Sequence, residues 1–247
     1  MKTIVVPTED CARAAAERLV SLIENKKDAS VALGAGDDEL CVLRWAAHLA
    51  KERGVSLRGL RAFAACEFAD IAPGDPDSAR ERIRTAFFAG TDAREDRLFA
   101  PDASAPAAYD ALIERAGGID LALLGLGENA RVAFNEPATQ FDTNTHVQKL
   151  TDKTKRELEA LFGGADKVPP RGVTMGFQQL CFAREILVIA LGAEKSKAVF
   201  HMLYGRDDSV YPAAFLQLPP NVTVYADPAA AAMLNEKGFD LVALYGK

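Results

Sequence analysis

The alternation of short apolar runs with longer, helix-like segments constrains the fold of this chain more than any other feature of the sequence. Runs such as Ser30–Leu33 and Ile119–Leu124 are predominantly apolar, which indicates strands buried on both faces. Between them, segments such as Asp37–Arg53 carry apolar residues at helical spacing. Strands of this kind joined by helices form a parallel sheet. The sequence therefore predicts an α/β fold with a mostly parallel, doubly wound, Rossmann-like sheet and helices on both faces.

The predicted elements continue without a linker, a repeat or a shift in composition, so we expect one domain over residues 1–247. The other predicted strands are Thr3–Pro7, Leu57–Ala65, Gly172–Met175, Glu185–Leu191 and Val222–Tyr225. The other predicted helices are Glu9–Lys26, Asp77–Phe88, Ala105–Ala116, Thr151–Phe162 and Lys195–Tyr204. Ligands of such sheets bind beyond the carboxyl ends of strands, near a topological switch point. The loops in which we expect a site are Gly34–Asp38, Cys66–Pro76, Gly125–Pro137 and Gly192–Lys195.

Charge and cysteine usage exclude several classes of partner. The chain has 29 Lys and Arg against 35 Asp and Glu, and its formal net charge is −6. Nucleic acid and anionic membranes need a basic face, so neither is expected as a partner. No apolar run is long enough to span a membrane or to form a signal peptide. The cysteines (Cys11, Cys41, Cys66 and Cys181) show no metal-ligand or redox spacing. The sequence thus predicts a reduced, cytoplasmic protein without metal or cofactor.

A polar loop follows the most apolar predicted strand. The segment Gly125–Pro137, GLGENARVAFNEP, places two glycines, two asparagines, an arginine and two glutamates within a dozen or so residues. Polar side chains at the carboxyl end of a buried strand are typical of a binding or catalytic site. Glycines in this position can also simply form a turn. The loop alone therefore leaves a structural role open.

This loop resembles the signature GxGxxGHxxxNEP of the glucosamine/galactosamine-6-phosphate isomerase (deaminase) family, which is related to the 6-phosphogluconolactonases. Further segments similar to the family are Ala65–Ser78, Leu150–Thr154, Leu191–Lys195 and Pro212–Leu218. Their order and spacing agree with the family over most of the chain. The tripeptide Asn135-Glu136-Pro137 favours the amino-sugar enzymes over the lactonases. Arg171-Gly172-Val173-Thr174 and Pro212-Ala213 are closest to the galactosamine-6-phosphate branch.

The resemblance implies an acid–base site for a sugar phosphate, with a fold of the glucosamine-6-phosphate deaminase type. In the family a histidine opens the sugar ring, and an aspartate moves a proton between carbons 2 and 1. A second aspartate and a glutamate hold the histidine. A lysine, an arginine and a Gly-rich loop with Ser or Thr hold the phosphate. Such chemistry needs groups whose pKa values lie near the operating pH.

This chain departs from the family at most of these positions. The proton-transferring aspartate aligns with Cys66, beside a kept Glu67 whose side chain should point elsewhere because adjacent residues alternate in direction. A thiol acts as a base only when its thiolate is stabilised. The ring-opening histidine aligns with Arg131, which cannot give up its proton but could bind an anion or pair with the kept Glu136. The relay aspartate aligns with Asn129, which carries no charge.

The phosphate loop is altered as well. Where the family has a Gly-Gly-Ser/Thr turn, this chain has Gly34-Ala35-Gly36-Asp37-Asp38-Glu39. Three carboxylates in the first turn of a helix satisfy the helix dipole and would repel a phosphate dianion. Lys195 is kept and could meet an anion, with Arg171 as a second contact. The usual family arginine, near Ala160, is absent.

Three functional hypotheses follow. The first is an amino-sugar phosphate isomerase/deaminase-like protein with weak or altered activity. The second is a non-catalytic sugar- or amine-binding or regulatory protein that keeps the family pocket. The third is a hydrolase, either similar to the 6-phosphogluconolactonases or using Cys66 as a nucleophile, which needs a base that no nearby histidine supplies.

The expected ligand is a small-molecule sugar phosphate or a related compound, and the resemblance also implies that the chain can form a homo-oligomer. The positions expected to carry the chemistry are Cys66, Glu67, Asn129, Arg131 and Glu136. The positions expected to bind substrate are Gly34, Ala35, Gly36, Asp37, Gly127, Arg171 and Lys195.

Overall fold

A seven-stranded parallel sheet forms the centre of the protein. The computed structural model describes residues 1–205 and 210–236. The strands are β1 (Lys2–Val5), β2 (Ser30–Leu33), β3 (Arg61–Ala64), β4 (Cys66–Phe68), β5 (Leu98–Phe99), β6 (Leu121–Gly125), β7 (His146–Lys149), β8 (Arg171–Thr174), β9 (Ile186–Ala190) and β10 (Val222–Ala226). The order in the large sheet is β1-β10-β9-β6-β2-β3-β5, and every neighbouring pair is parallel. The predicted α/β class is confirmed.

Helices cover both faces of this sheet. They are α1 (Thr8–Asn25), α2 (Asp37–Arg53), α3 (Ala79–Ile83), α4 (Pro106–Arg115), α5 (Asp152–Glu157), α6 (Glu159–Phe162), α7 (Phe177–Cys181), α8 (Ser196–Tyr204) and α9 (Ala232–Glu236). Along β6, Leu121 and Leu123 pack into the core that contains α1 and α2, whereas Ala122 and Leu124 pack into the core that contains α4, α7 and α8. Burial on both faces explains why the strand is apolar throughout.

The order of the strands places a topological switch point between β2 and β6. From β2 the chain runs outward through β3 to β5, and from β6 it runs the other way through β9 and β10. Leu33 pairs with Leu123, and the loops that follow these two strands therefore start side by side. A crevice opens at such a point because consecutive connections leave in opposite directions.

A second, three-stranded antiparallel sheet was not anticipated from the sequence. Its order is β4-β8-β7, and Cys66 pairs with Thr174 while His146 pairs with the same residue from the other side. The predicted strand over residues 57–65 is therefore wrong in extent. The strand breaks after Ala64, and the chain enters the small sheet at Cys66.

Two predicted helices differ from the structure. The helix predicted over residues 151–162 is interrupted at Leu158, which separates α5 from α6. The helix predicted over residues 77–88 begins two residues later, at Ala79, because Ser78 is its N-cap. The hydroxyl of Ser78 accepts a hydrogen bond from the N–H of Glu81. The helix then continues as a π-helix over Arg84–Phe88. Among the described helices, none is both long and apolar enough to cross a membrane.

Candidate active site

A cavity of about 510 Å³ lies at the switch point, beyond the carboxyl ends of β2 and β6. Small-molecule sites commonly have volumes of about 300–1,000 Å³. The cavity is lined by residues 34–39 and by parts of the loop over residues 125–137, and it also contains Cys66, Arg131 and Lys195. The strand-end loops chosen from the sequence therefore contribute to one cavity, as predicted.

Cys66 lies at the start of β4 and is buried, with 8% of its surface exposed. Burial, followed by the negative charge of Glu67, raises the pKa of the Cys66 thiol far above its ordinary value. The positive charge of Arg131 opposes this effect without reversing it. The group is consequently a neutral thiol at physiological pH, and a neutral thiol is neither a general base nor an activated nucleophile.

Glu67 points away from the cavity, as the alternation along β4 predicts. Its carboxylate accepts hydrogen bonds from the backbone N–H groups of Phe68 at 2.8 Å, of Ala79 at 2.9 Å and of Arg80 at 2.9 Å. These bonds tie β4 to the beginning of α3. The structure therefore gives Glu67 a supporting position outside the cavity lining, in place of the predicted role in the chemistry.

Arg131 is held by three groups on its own loop and on α5. Its Nη2 donates to Glu157 Oε2 at 2.9 Å, its Nε donates to the hydroxyl of Thr154 at 3.0 Å, and its Nη1 donates to the carbonyl of Ala133 at 3.1 Å. The side chains of the Arg131–Glu157 pair are 13% and 10% exposed. The prediction that Arg131 pairs with Glu136 is wrong, because the guanidinium of Arg131 forms its ion pair with Glu157.

Glu136 is the anchor of the loop. Its carboxylate accepts hydrogen bonds from Asn129 Nδ2 at 2.8 Å, from the N–H of Thr151 at 3.1 Å and from the hydroxyl of Thr151 at 3.2 Å. Asn129 Oδ1 in turn accepts from the N–H of Arg131 at 3.2 Å. The two predicted site residues Asn129 and Glu136 are therefore hydrogen-bonded to each other. They stabilise the loop and are not part of the cavity lining.

A carboxylate fills the place where three glycines come together. A Cβ added at Gly34 or at Gly125 would collide with the carboxylate of Glu39, and one added at Gly36 would lie 2.6 Å from it. Glu39 is buried, and burial raises the pKa of its carboxyl group. Hydrogen bonds from its own N–H and that of Gly125 oppose the rise, as do the positive charges of Lys195 and Arg131. We call this set of three glycines (Gly34, Gly36 and Gly125) the glycine cradle.

Asp38 and Lys195 lie beside the cradle. Burial, followed by the negative charge of Glu39, raises the pKa of Asp38 from 3.8 to about 6, although the N–H of Leu191 donates to its carboxylate at 3.2 Å. Lys195 and Glu194 line the same end of the cavity. The positive charge of Lys195 lowers the pKa of Asp38, and the negative charge of Glu194 raises it. This end of the cavity is therefore crowded with negative charge.

Part of the cavity wall is apolar. It contains Phe68, Phe134, Leu158, Ala160 and Leu161. Phe68 and Phe134 pack with ring centroids 5.2 Å apart. The family resemblance puts an arginine near Ala160, and α6 (Glu159–Phe162) has no cationic residue. A ligand in the cavity would meet both charged and apolar side chains.

Some predicted site residues lie outside the cavity. Arg171, at the start of β8, is exposed and donates to both carboxylate oxygens of Asp70 at 3.0 and 3.1 Å. Its predicted contact with substrate is therefore not supported. Gly127 does not line the cavity either. A Cβ there would lie 2.5 Å from the side chain of Arg131, so the glycine allows Arg131 to fold over its own loop. Gly34, Ala35, Gly36, Asp37 and Lys195 do line it.

Two cavity residues, Glu39 and Glu157, were not among the predicted site positions. Glu39 is the third residue of α2 after the N-cap Gly36, a spacing at which a glutamate side chain commonly turns back to the helix N-terminus. Glu157 had no such signal, because its partner Arg131 is distant in sequence. Within residues 1–205 and 210–236, no three His, Cys, Asp or Glu side chains are grouped as a metal site requires. The expectation of no metal or cofactor stays a prediction.

The fold and the cavity define a class, a doubly wound α/β protein with a small-molecule site at its switch point. The family model for glucosamine-6-phosphate isomerases/6-phosphogluconolactonase matches residues 6–225. A glucosamine-6-phosphate deaminase of Bacillus velezensis is 34% identical over 229 residues, which cover 90% of this chain and 95% of that protein. One of Mycolicibacterium smegmatis is 34% identical over 243 residues, which cover 95% and 93%.

Solved structures agree with the sequence comparison. A monomeric glucosamine-6-phosphate deaminase superposes with a TM-score of 0.91 at 30% identity, over 94% of this chain and 100% of that one. The 6-phosphogluconolactonase of Trypanosoma brucei superposes with a TM-score of 0.72 at 23% identity, over 95% and 99%, which shows a shared fold. The chain belongs to the glucosamine-6-phosphate isomerase/6-phosphogluconolactonase family and is deaminase-like, as the resemblance implied.

Proposed function

We propose that this protein serves amino-sugar metabolism as a sugar- or amine-binding protein that keeps the family cavity, and that its isomerase/deaminase activity on amino-sugar phosphates is weak or lost. The observation that carries the proposal is the state of two cavity residues. Cys66 is a buried thiol with a raised pKa, and Arg131 is fixed to Glu157 at 2.9 Å. The relatives are named glucosamine-6-phosphate deaminases, which supports the choice of metabolism.

Neither residue can do the work of a general base. A base must accept a proton near neutral pH, and a thiol held in its neutral form has no lone pair of sufficient basicity. The guanidinium of Arg131 stays protonated at any physiological pH. The described cavity lining contains no histidine, and its carboxyl group with a pKa of about 6, Asp38, stands in the altered phosphate loop and not at either of the two family positions. The same facts weaken the hydrolase hypothesis, because burial and the negative charges of Glu67 and Glu39 keep Cys66 in its thiol form, which is a poor nucleophile.

The test is turnover of glucosamine 6-phosphate and galactosamine 6-phosphate, followed by the release of ammonia and by the formation of ketose. Loss of one positioned acid–base group typically costs about 10²–10⁴-fold. With two such groups replaced, we expect kcat/KM at least about 10⁴-fold below that of the Bacillus velezensis deaminase assayed in parallel. A rate within tenfold of that enzyme would refute the proposal.

Three finer expectations stay predictions. The galactosamine branch was inferred from Arg171-Gly172-Val173-Thr174 and Pro212-Ala213, and comparison of the two substrates tests it. A cytoplasmic location agrees with the four cysteines, all of which are free thiols. Assembly as a homo-oligomer is the third, and the related solved deaminase is described as monomeric.

A further inference from the structure

The glycine cradle is shaped for an anion but is already filled by a carboxyl group of the protein. Backbone N–H groups at the N-terminus of a helix bind anions, and glycines let a ligand approach the backbone closely. Gly34 and Gly36 precede α2, and Gly125 ends β6 beside them. The carboxylate of Glu39 lies against all three glycines, and the N–H groups of Gly125 and of Glu39 itself bond to it. The protein therefore supplies the occupant of its own cradle.

The arginines around the cavity are also engaged. Arg82 Nη2 lies 2.6 Å from Asp37 Oδ1, and Arg131 lies 2.9 Å from Glu157. A phosphate group that used either arginine would have to break one of these pairs, and one that used the cradle would have to displace Glu39. Only Lys195 of the described lining would be left to it as a cation, and Asp38 and Glu194 lie beside that lysine. Like charges held close together repel strongly in a partly buried site.

The acidic end offers a positively charged ligand a better environment. Asp38, Glu39 and Glu194 line this end together with one lysine, Lys195. A second cation placed among three carboxylates would relieve the repulsion between Asp38 and Glu39. The apolar wall, including Phe134, would then face the less polar side of the ligand.

We propose that Glu39 is a built-in occupant of the glycine cradle, and that the cavity consequently takes an unphosphorylated amino sugar whose ammonium group lies at the acidic end. This inference rests on the proposed function, because it uses the same cavity as the binding site. It differs from that proposal in naming the ligand class and the residue that excludes phosphate.

Titration calorimetry on the wild-type protein at pH 6.5 tests the ligand class. The probes are glucosamine, its neutral analogue N-acetylglucosamine, glucosamine 6-phosphate and inorganic phosphate. We expect glucosamine to bind at least tenfold more tightly than each of the other three, a difference of about 1.4 kcal/mol or more. Tighter binding of glucosamine 6-phosphate than of glucosamine, or no binding of glucosamine, would overturn the inference.

The variant Glu39→Ala tests the excluding residue. Alanine removes the carboxyl group that lies against the three cradle glycines and so empties the cradle. We expect the affinity for glucosamine 6-phosphate to rise at least tenfold and that for glucosamine to fall. The matched control is Glu9→Ala, which removes an exposed glutamate from the first turn of α1 and should change neither affinity by more than twofold.

The outcomes separate this inference from the proposed function. Unchanged affinity for glucosamine 6-phosphate in a folded Glu39→Ala protein would contradict the role of Glu39. Should the variant fail to fold, the wild-type ligand series still decides the ligand class. The turnover assay tests the proposed function separately. Slow turnover is compatible with either ligand preference. Rapid turnover would refute the proposed function, whichever ligand binds more tightly.

Discussion

Two sets of residues in the loop over residues 125–137 differ in how well they keep the family pattern: those that support the loop, and those that face the cavity. The support of the loop keeps the family residues Asn135 and Glu136, with Asn129 in place of the family's aspartate. Asn135 donates to the carbonyls of Val132 at 3.1 Å and Met175 at 2.9 Å, and Glu136 gathers Asn129 and Thr151. The position that the family uses for ring opening carries Arg131, which is turned toward Glu157.

The comparison teaches that the loop does not need its catalytic side chains in order to fold. Buried polar groups must be satisfied, and removing a partner costs the full desolvation of the group left behind. The supporting residues are therefore constrained by stability. The cavity-facing residues are free to change as long as the new side chain finds its own partner, as Arg131 does.

The largest predicted effect is on the support. Glu136→Ala would remove the acceptor shared by three donors of Asn129 and Thr151 at a residue that is 1% exposed. The two side-chain donors would keep only their contacts with the hydroxyl of Thr154, at 3.5 and 3.2 Å. We expect the free energy of unfolding to fall by about 3–4 kcal/mol, measured by urea denaturation. The control Glu128→Ala, at the rim of the cavity and paired with Lys153, should cost less than about 1 kcal/mol. Equal losses would remove the distinction between support and cavity.

The second prediction concerns the Arg131–Glu157 pair. Arg131→Met leaves a carboxylate that is 10% exposed without its cation, and we expect a loss of about 2 kcal/mol in unfolding free energy. The double variant Arg131→Met with Glu157→Leu should recover most of this loss. A double-mutant cycle in urea gives the coupling, which we expect to be about 1–3 kcal/mol. A coupling near zero would show that Arg131 is not held by Glu157.

The third prediction is a pH dependence on the cavity side. The folded-state pKa of Asp38 is raised from 3.8 to about 6, so the folded protein binds this proton more readily than the unfolded chain. The contribution of Asp38 to the free energy of unfolding therefore falls as the pH rises from about 4 to 6, and it stays at its lowest value above pH 6. Asp38→Asn should be more stable than wild type by about 2 kcal/mol at pH 8.

Urea unfolding of the two proteins at pH 8 and at pH 4.5 checks this sign. The advantage of Asp38→Asn should shrink at the lower pH, because both side chains are then largely uncharged in the folded protein. An advantage of the same size at both values, or a destabilised variant at pH 8, would argue against crowding of negative charge beside Glu39.

The smallest predicted effect lies just beyond the loop. Ala138 is exposed and has a φ of 78°, in the left-handed region that disfavours alanine. Ala138→Gly relieves this strain, but glycine also makes the unfolded chain more flexible, which offsets part of the benefit. We therefore expect the free energy of unfolding to rise by about 0.5 kcal/mol. Ala108→Gly, at an exposed position in α4, should instead lose about 0.5–1 kcal/mol. Thermal unfolding of both variants distinguishes the two signs.

Much of the fold could be predicted from local pattern. The runs that became β6 and β9 are apolar because both faces are buried, and periodicity records that directly. The small sheet could not be predicted in this way. Strand β4 has only three residues, and its pairing with β8 joins segments about a hundred residues apart, so no local signal specifies it.

The site was predictable in outline and not in its pairings. The strand-end rule together with the family resemblance placed Cys66, Arg131 and Lys195 in one cavity. The partner of Arg131 depends on how α5 packs over the loop. No short sequence pattern specifies that packing, so the contact between Arg131 and Glu157 could not be predicted. For the same reason the carboxylate of Glu39 was expected near the helix N-terminus but not inside the glycine cradle.

The most direct test of the account is whether this protein moves a proton at carbon 2 of the sugar. Glucosamine 6-phosphate incubated with the protein in D₂O is followed by proton NMR, which records the loss of the carbon-2 proton signal independently of ammonia release. With Cys66 neutral and Arg131 fixed, the signal should persist while the Bacillus velezensis deaminase exchanges it fully. Exchange by this protein at a rate comparable to that deaminase would contradict the account.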